Sequence, residues 1–217
     1  MRVVMVHALE ESVPPVKLAF AAEFPEAQLI NLLDQGLFID FQGVLTPTLQ
    51  RRMTQLICYA AEYGADAIGL ACSVFAPVVD SARHLIDVPL ISSYSPVMEE
   101  ALQHGSRIGI IASVPATLRD SEFYLRRAAQ ERGMAVEPRL CHAPDLLDVM
   151  RHQGEAAFNQ RLTEEVNRLE RDVDAVLLGQ FSFATALSYV QARTGVPVLS
   201  GPHCSARQLK ALLSVAV

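Results

Sequence analysis

The 217 residues carry 18 Lys and Arg against 24 Asp and Glu, a formal net charge of −6, with 51% hydrophobic and 19% charged residues. That balance excludes a disordered chain, and the acidic sign, with no basic run of five or more residues, speaks against nucleic acid as a partner. No segment reads as a membrane span or a secretory leader. The four cysteines (Cys58, Cys72, Cys141, Cys204) lack CxxC spacing, so reduced thiols in a cytoplasmic protein are expected rather than a disulfide framework or a metal site.

The chain opens with the apolar run Arg2 to Val6, read as a strand that delivers His7 and the loop Ala8 to Pro15; a helix is expected over 16–24. His7 stands at the carboxyl end of a strand, where open α/β sheets place ligands, so it is a candidate contact to substrate as well as a candidate structural hydrogen-bonder. Gln28 to Leu33 is the next strand. A long loop over 34–43 carries Phe38 and Phe41, and Thr46-Pro47 begins a helix to about Tyr63 whose positions Leu49, Met53, Leu56, Ile57 and Ala60 recur at helical spacing. Cys58 lies inside that helix as packing material.

Asp66 to Ala71 reads as a buried parallel strand, and Cys72 follows it directly. Ser73 is a helix-capping residue type and Pro77 suits a first turn, so the thiol is expected where strand gives way to helix, with a pKa lowered by the helix dipole and free amides. Cys72 is therefore a candidate acid/base or nucleophile, set against the plain alternative of a small buried hydrophobe. A helix to Leu85, a strand over 88–91 and a helix through Gln103 complete the first half, closed by His104-Gly105. The second half opens with the strand Arg107 to Ala112, which delivers Ser113-Val-Pro-Ala-Thr117. Ser113, Thr117 and the amides of the next helix are candidates to hold a carboxylate, or simply to cap that helix. Helix 118–132, strand 135–139, helix 155–169, strand 174–178, the loop Gln180-Phe-Ser-Phe183, strand 196–199 and a helix 205–215 follow. That last helix is expected to pack back on the first half.

The second half repeats the first. Asp66-Ala-Ile-Gly-Leu-Ala-Cys72 maps onto Asp174-Ala-Val-Leu-Leu-Gly-Gln180 at an offset of 174 − 66 = 108, and Val88-Pro89 maps onto Val196-Pro197 at the same offset. Arg2 maps onto Arg107 at 107 − 2 = 105. One α/β unit is written twice. The expected fold class is α/β with two pseudo-symmetric lobes, each a mostly parallel sheet flanked by helices, with the site in the cleft between them. The first lobe is residues 1–105 plus 203–217 and the second 106–202. Cys72 and Gln180 then occupy equivalent positions. No GxGxxG follows the first strand, so a dinucleotide enzyme ranks last.

With the doubled unit, Ala71-Cys-Ser73, Ser113-Val-Pro-Ala-Thr117 and Leu178-Gly-Gln180-Phe-Ser182, the chain resembles the aspartate/glutamate/hydantoin racemase superfamily, which includes arylmalonate decarboxylase and maleate isomerase. The resemblance implies cofactor-free proton transfer at a carbon next to a carboxylate or carbonyl. In such racemases one cysteine removes the proton and a second, on the other lobe, returns it; Cys72 matches the first, and Gln180 stands where the second is expected. Glutamine has no titratable proton, so two-base chemistry needs another group, for which His7, His203, Cys204 or water are the candidates. The implied function is an amino-acid or hydantoin racemase-like isomerase; the alternatives are a single-cysteine decarboxylase of arylmalonate type and a small-carboxylate-binding protein without catalysis. The roles implied are Cys72 as catalytic residue and His7, Ser73, Ser113, Thr117, Gln180, Phe181 and Ser182 as substrate-binding residues, with Phe75, Phe181 and Phe183 shaping an apolar pocket. Apart from Arg119, no lysine or arginine stands near these loops, which disfavours a dianionic substrate. A carboxylate or cyclic amide substrate, no metal or other cofactor, no membrane partner and a homodimer complete the expectation.

Overall fold

The computed structural model describes residues 1–215, which divide into two units: Met1–Pro96 together with the chain from Ser205 on, and Val97–Cys204.

The first unit is built on β1 (Arg2–His7), α1 (Val13–Glu23), β2 (Gln28–Leu33), α2 (Gly36–Ile39), α3 (Pro47–Glu62), β3 (Ala67–Leu70), α4 (Val78–Ala82), β4 (Leu90–Ile91) and the start of α5 (Ser95–His104). Its four strands are all parallel in the order β2-β1-β3-β4. The interior strand β3 is buried at every position, which is why its sequence is an unbroken apolar run with no alternation. α3 starts where Thr46 Oγ1 accepts from the Leu49 amide at 3.3 Å and Pro47 takes the first turn. Leu49, Met53, Ile57 and Ala60 on one face of α3 then pack with Val4, Ile68 and Phe75 in the core.

The second unit contains β5 (Arg107–Ala112), α6 (Pro115–Glu131), β6 (Glu137–His142), α7 (Leu146–His152), α8 (Glu155–Leu169), β7 (Ala175–Leu178), α9 (Leu187–Gln191), β8 (Val198–Ser200) and the start of α10 (Gly201–Val215). Its sheet has the order β6-β5-β7-β8, again all parallel. Phe158, Leu162 and Val166 on α8 fill its core with Ile111, Leu178 and Phe183. From Ser205 on, α10 belongs with the first unit, where Arg207 pairs with Glu23 and Lys210 with Glu26.

The repeat read in the sequence is a repeat of register. Val3 lies opposite Ala67 in β1–β3, and its counterpart Ile108 lies opposite Ala175 in β5–β7. Ile68 lies opposite Leu90, and Val176 opposite Val198. The two strand origins are also pinned alike: the Arg2 amide donates to Asp66 Oδ2 at 2.6 Å, and the Arg107 amide to Asp174 Oδ2 at 2.9 Å. The Arg107 guanidinium adds two bonds to Asp174 Oδ1, which holds that carboxyl below its ordinary pKa.

Several local expectations shift. The single helix expected between Cys72 and Leu85 is a 3₁₀ turn at Ser73–Phe75, α4, and a second 3₁₀ turn at Arg83–Leu85. The helix after Ser113 begins three residues earlier than read, because Pro115 takes its first turn. The strand expected over 135–139 is β6, displaced to Glu137–His142; α2 falls in the stretch read as loop, and α7 and α9 in stretches to which the sequence assigns no element. These elements are too short to show a period. No helix among the described residues is long and apolar enough to cross a membrane.

Candidate active site

In a sheet of order 2-1-3-4 the connections from β1 and β3 leave in opposite directions, which opens a crevice at their carboxyl ends. In the first unit that point is occupied by His7, the last residue of β1, and by Cys72, two residues beyond β3. The Ala71 amide donates to the Val6 carbonyl at 2.9 Å and so extends the pairing just beyond the end of β3. Cys72 is still extended, with φ −130° and ψ 120°, before the chain turns at Ser73.

Cys72 is 6% exposed, and burial pushes its thiol from 9.0 up to about 11, against a hydrogen bond with the Val74 backbone that favours the thiolate. The expected lowering by a helix dipole does not occur. Three residues of 3₁₀ turn follow the thiol rather than a long helix, so the dipole facing it is small and desolvation dominates. Ser73 is the first residue inside the turn, with Cys72 at the cap position; it is half-buried, and its carbonyl accepts from the Ala76 amide.

His7 is fully buried and both ring nitrogens have partners within the unit: Nδ1 lies 2.6 Å from Ser12 Oγ and Nε2 lies 2.9 Å from Asn31 Oδ1. Ser12 Oγ also lies 2.7 Å from the Leu9 carbonyl oxygen, which competes with Nδ1 for its one proton. Burial lowers the His7 pKa to about 4, so the ring is neutral near pH 7 and supplies one N–H for its two contacts. His7 thus ties β1 to β2 and to the loop that follows it. Direct contact with substrate, expected from its place at a strand end, would require one of these bonds to break.

In the second unit the equivalent point holds Ser113, one residue beyond β5, and Gln180, two beyond β7. The Gly179 amide donates to the Ile111 carbonyl at 2.8 Å, repeating the Ala71 bond, and Gln180 has φ −117° and ψ 137°, close to Cys72. A Cβ at Gly179 would stand 3.0 Å from the Ile111 carbonyl oxygen and 3.2 Å from Ala112 Cβ, so a side chain here would have to push the loop or β5 aside by a few tenths of an ångström. Thr117 brings its methyl to the same place, 3.6 Å from that Cβ position. The Gln180 side chain turns back onto Ser113: Oε1 accepts from the Ser113 amide at 2.8 Å and from its hydroxyl at 2.6 Å. Ser113 is buried and its two donors are thereby used within the unit.

Of the expected aromatic wall, Phe75 and Phe183 are fully buried in the cores of their own units, because each is the third residue of a turn folded back under its sheet. Phe181 alone stays half-buried, its ring against Gly201, where a Cβ would come within 2.5 Å of it. Ser182 is half-buried, and its carbonyl accepts from the Thr185 hydroxyl.

Cys141 and His142 end β6 and face different partners: Cys141 Sγ lies 3.4 Å from Glu165 Oε2, and His142 Nε2 lies 3.2 Å from the Ser113 carbonyl. They form no nucleophile–base pair, and burial beside the Glu165 carboxylate raises the Cys141 thiol to about 11. Ser12, Asn31 and Ser200 were not singled out in the sequence. For Ser200 a signal existed, since the offset of 108 that carries Val88 onto Val196 also carries Ser92 onto Ser200. No grouping of three or more metal-ligating side chains occurs among the described residues.

Residues 44–209 match the family model described as Asp/Glu/Hydantoin racemase. No curated protein matches the sequence. Among solved structures, allantoin racemase from Klebsiella pneumoniae is similar at a TM-score of 0.78 and 17% identity, covering 100% of this chain and 89% of that one. Glutamate racemase from Bacillus anthracis is similar at 0.70 and 18% identity, covering 99% and 82%. A glycine-to-cysteine mutant of arylmalonate decarboxylase, in its sulfate ion associated form, is similar at 0.64 and 17% identity, covering 100% and 95%. At these identities the likeness is one of fold. The family match spans most of the chain and takes in both sheet ends that carry Cys72 and Gln180: the chain belongs to the Asp/Glu/hydantoin racemase family.

Proposed function

We propose that this chain is a cofactor-independent enzyme that transfers a proton through Cys72 to or from the carbon next to a carboxylate or carbonyl, in the manner of an amino-acid or hydantoin racemase. The observation that carries the reading is Cys72 itself, a buried thiol at the carboxyl end of β3 where the strand connections diverge, with the Val74 backbone bonded to its sulfur. A thiol with a pKa near 11 is protonated at neutral pH and starts as a proton donor. To act as a base it must lose its proton, and the Val74 contact favours that form. Within the second unit Thr117, Phe181 and Ser182 are the residues we expect to offer polar and apolar contacts to a substrate, and within the first unit Ser73. His7 acts by holding the β1 and β2 ends rather than by touching substrate.

The resting thiol also favours a second reading, one-sided protonation as in a decarboxylase. There the bond to the departing carboxylate breaks and its electron pair passes to the α-carbon, delocalised over the remaining carboxylate. The S–H proton then moves to that carbon, and the thiolate regains a proton from water. Gln180 favours this version, since a carboxamide has no titratable proton to give. In either version the four cysteines, none of them in a disulfide, fit the reducing cytoplasmic setting we propose, and we expect a homodimer, to be checked by sedimentation.

The test is proton NMR in deuterated water with amino acids, hydantoins, allantoin and aryl-substituted malonates, comparing native protein with Cys72→Ala. Deuterium gained with inversion identifies racemisation, and carboxylate lost with deuterium gained identifies decarboxylation. Turnover that survives unchanged in Cys72→Ala would sink both readings, and a native protein inert on every compound leaves the binding-protein alternative standing.

A further inference from the structure

The orientation of the Gln180 carboxamide is settled by its partner. A backbone N–H only donates, so the group 2.8 Å from the Ser113 amide is the oxygen, and the Ser113 hydroxyl adds a second donor at 2.6 Å. A backbone amide and a hydroxyl converging on one oxygen at a strand end form a donor pair suited to a carboxylate. Here that pair is filled by the protein's own uncharged oxygen, and the two N–H bonds of Gln180 Nε2 become the donors this half-buried side chain has left to offer a ligand.

We propose that Gln180 is a specificity-determining residue that closes the Ser113 donor pair to a ligand carboxylate and presents an amide N–H instead, so that the second unit takes a neutral carbonyl of a cyclic amide or ureide. The inference deepens the reading of the chain as a racemase-family enzyme and rests on it for the location of the site. Its physical basis is competition: a carboxylate reaching Ser113 must first displace two hydrogen bonds made by a side chain tethered beside them, which holds an effective concentration no free ligand matches. A neutral carbonyl accepting from Nε2 displaces nothing. The second unit's loops 113–117 and 180–183 carry no lysine or arginine that would compensate a second negative charge.

The experiment follows two resonances in isotope-labelled protein, the backbone amide of Ser113 and the backbone amide of residue 180, both of which persist in every variant, during titration with malonate and with hydantoin. In the native protein hydantoin is expected to move the Gln180 signal saturably, while malonate leaves Ser113 in place. In Gln180→Ala the freed Ser113 amide should respond to malonate with an affinity gained by about tenfold or more. Gln180→Glu, which keeps an acceptor on Ser113 but removes the N–H donors, should lose the hydantoin response and gain none toward malonate. The proposal is overturned if malonate moves Ser113 in native protein as strongly as in Gln180→Ala, if neither variant changes the ratio of the two responses, or if hydantoin leaves Gln180 unmoved. Cys72→Ala should retain both native responses while losing exchange in deuterated water, so a wrong reaction and a wrong ligand class give different results.

Discussion

Ser200 Oγ lies 2.7 Å from His203 Nδ1, and one repeat earlier, at 200 − 92 = 203 − 95 = 108, Ser92 Oγ lies 3.0 Å from Ser95 Oγ. Both serines follow or end the last strand of their sheets, and both reach three residues forward into the first turn of a helix. The duplication therefore extends to a side-chain contact, while the residue answering the serine has diverged from a hydroxyl to an imidazole.

That relationship predicts unequal costs. Ser92 also accepts from the Tyr94 and Ser95 amides, so Ser92→Ala removes the cap of α5 and should lower stability by about 1 kcal/mol. Ser200→Ala withdraws a buried partner from an imidazole and should cost about 1–3 kcal/mol. Denaturant midpoints at unchanged m-value measure both.

The raised thiol of Cys72 predicts slow alkylation. At neutral pH its reaction with iodoacetamide should be on the order of a hundredfold slower than that of an unperturbed cysteine. The rate should keep rising with pH toward about 11, followed by mass spectrometry at that residue. Because the folded pKa lies above the unfolded one, the folded state binds the extra proton between pH 9 and 11. The associated stability is present below that window and lost as pH rises through it.

His7 predicts the opposite trend at acid pH. Its folded pKa of about 4 lies below the ordinary 6.5, so the unfolded chain binds the extra proton between these values. Stability should therefore fall as pH falls through that range, by about 3 kcal/mol from this residue. Urea unfolding at pH 7 and pH 4.5 measures the loss, and His7→Gln should flatten the pH dependence while lowering stability at pH 7.

Gly179 predicts a local effect with a distant readout. Gly179→Ala drives a Cβ against the Ile111 carbonyl and Ala112, which should cost about 1–3 kcal/mol as an overpacked site. The displaced loop should also pull Gln180 off Ser113. Thermal unfolding gives the first quantity, and the shift of the Ser113 amide resonance gives the second.

Much of the architecture was legible from local pattern. Two apolar strand sets at matching offsets, Arg2 against Arg107 and Asp66 against Asp174, announce a duplicated parallel unit, because a buried parallel strand needs a continuous apolar run and the same turn residues serve the same geometry twice. The places of Cys72, Ser113 and Gln180 at strand ends follow from that pattern alone. Their chemistry does not. The thiol's shift depends on how completely the first unit's core covers it, and the expectation of a lowered pKa failed because burial by residues remote in the chain outweighs three residues of 3₁₀ turn. The sequence leaves His7 open between ligand contact and structural hydrogen-bonder, and the bonds its two nitrogens make to Asn31, 24 residues away, and to Ser12 are visible only in the tertiary structure. Gln180 reads in the sequence as a missing acid. Only tertiary structure brings it onto Ser113, 67 residues earlier, because a hydrogen bond depends on distance and direction in space and leaves no periodic trace along the chain.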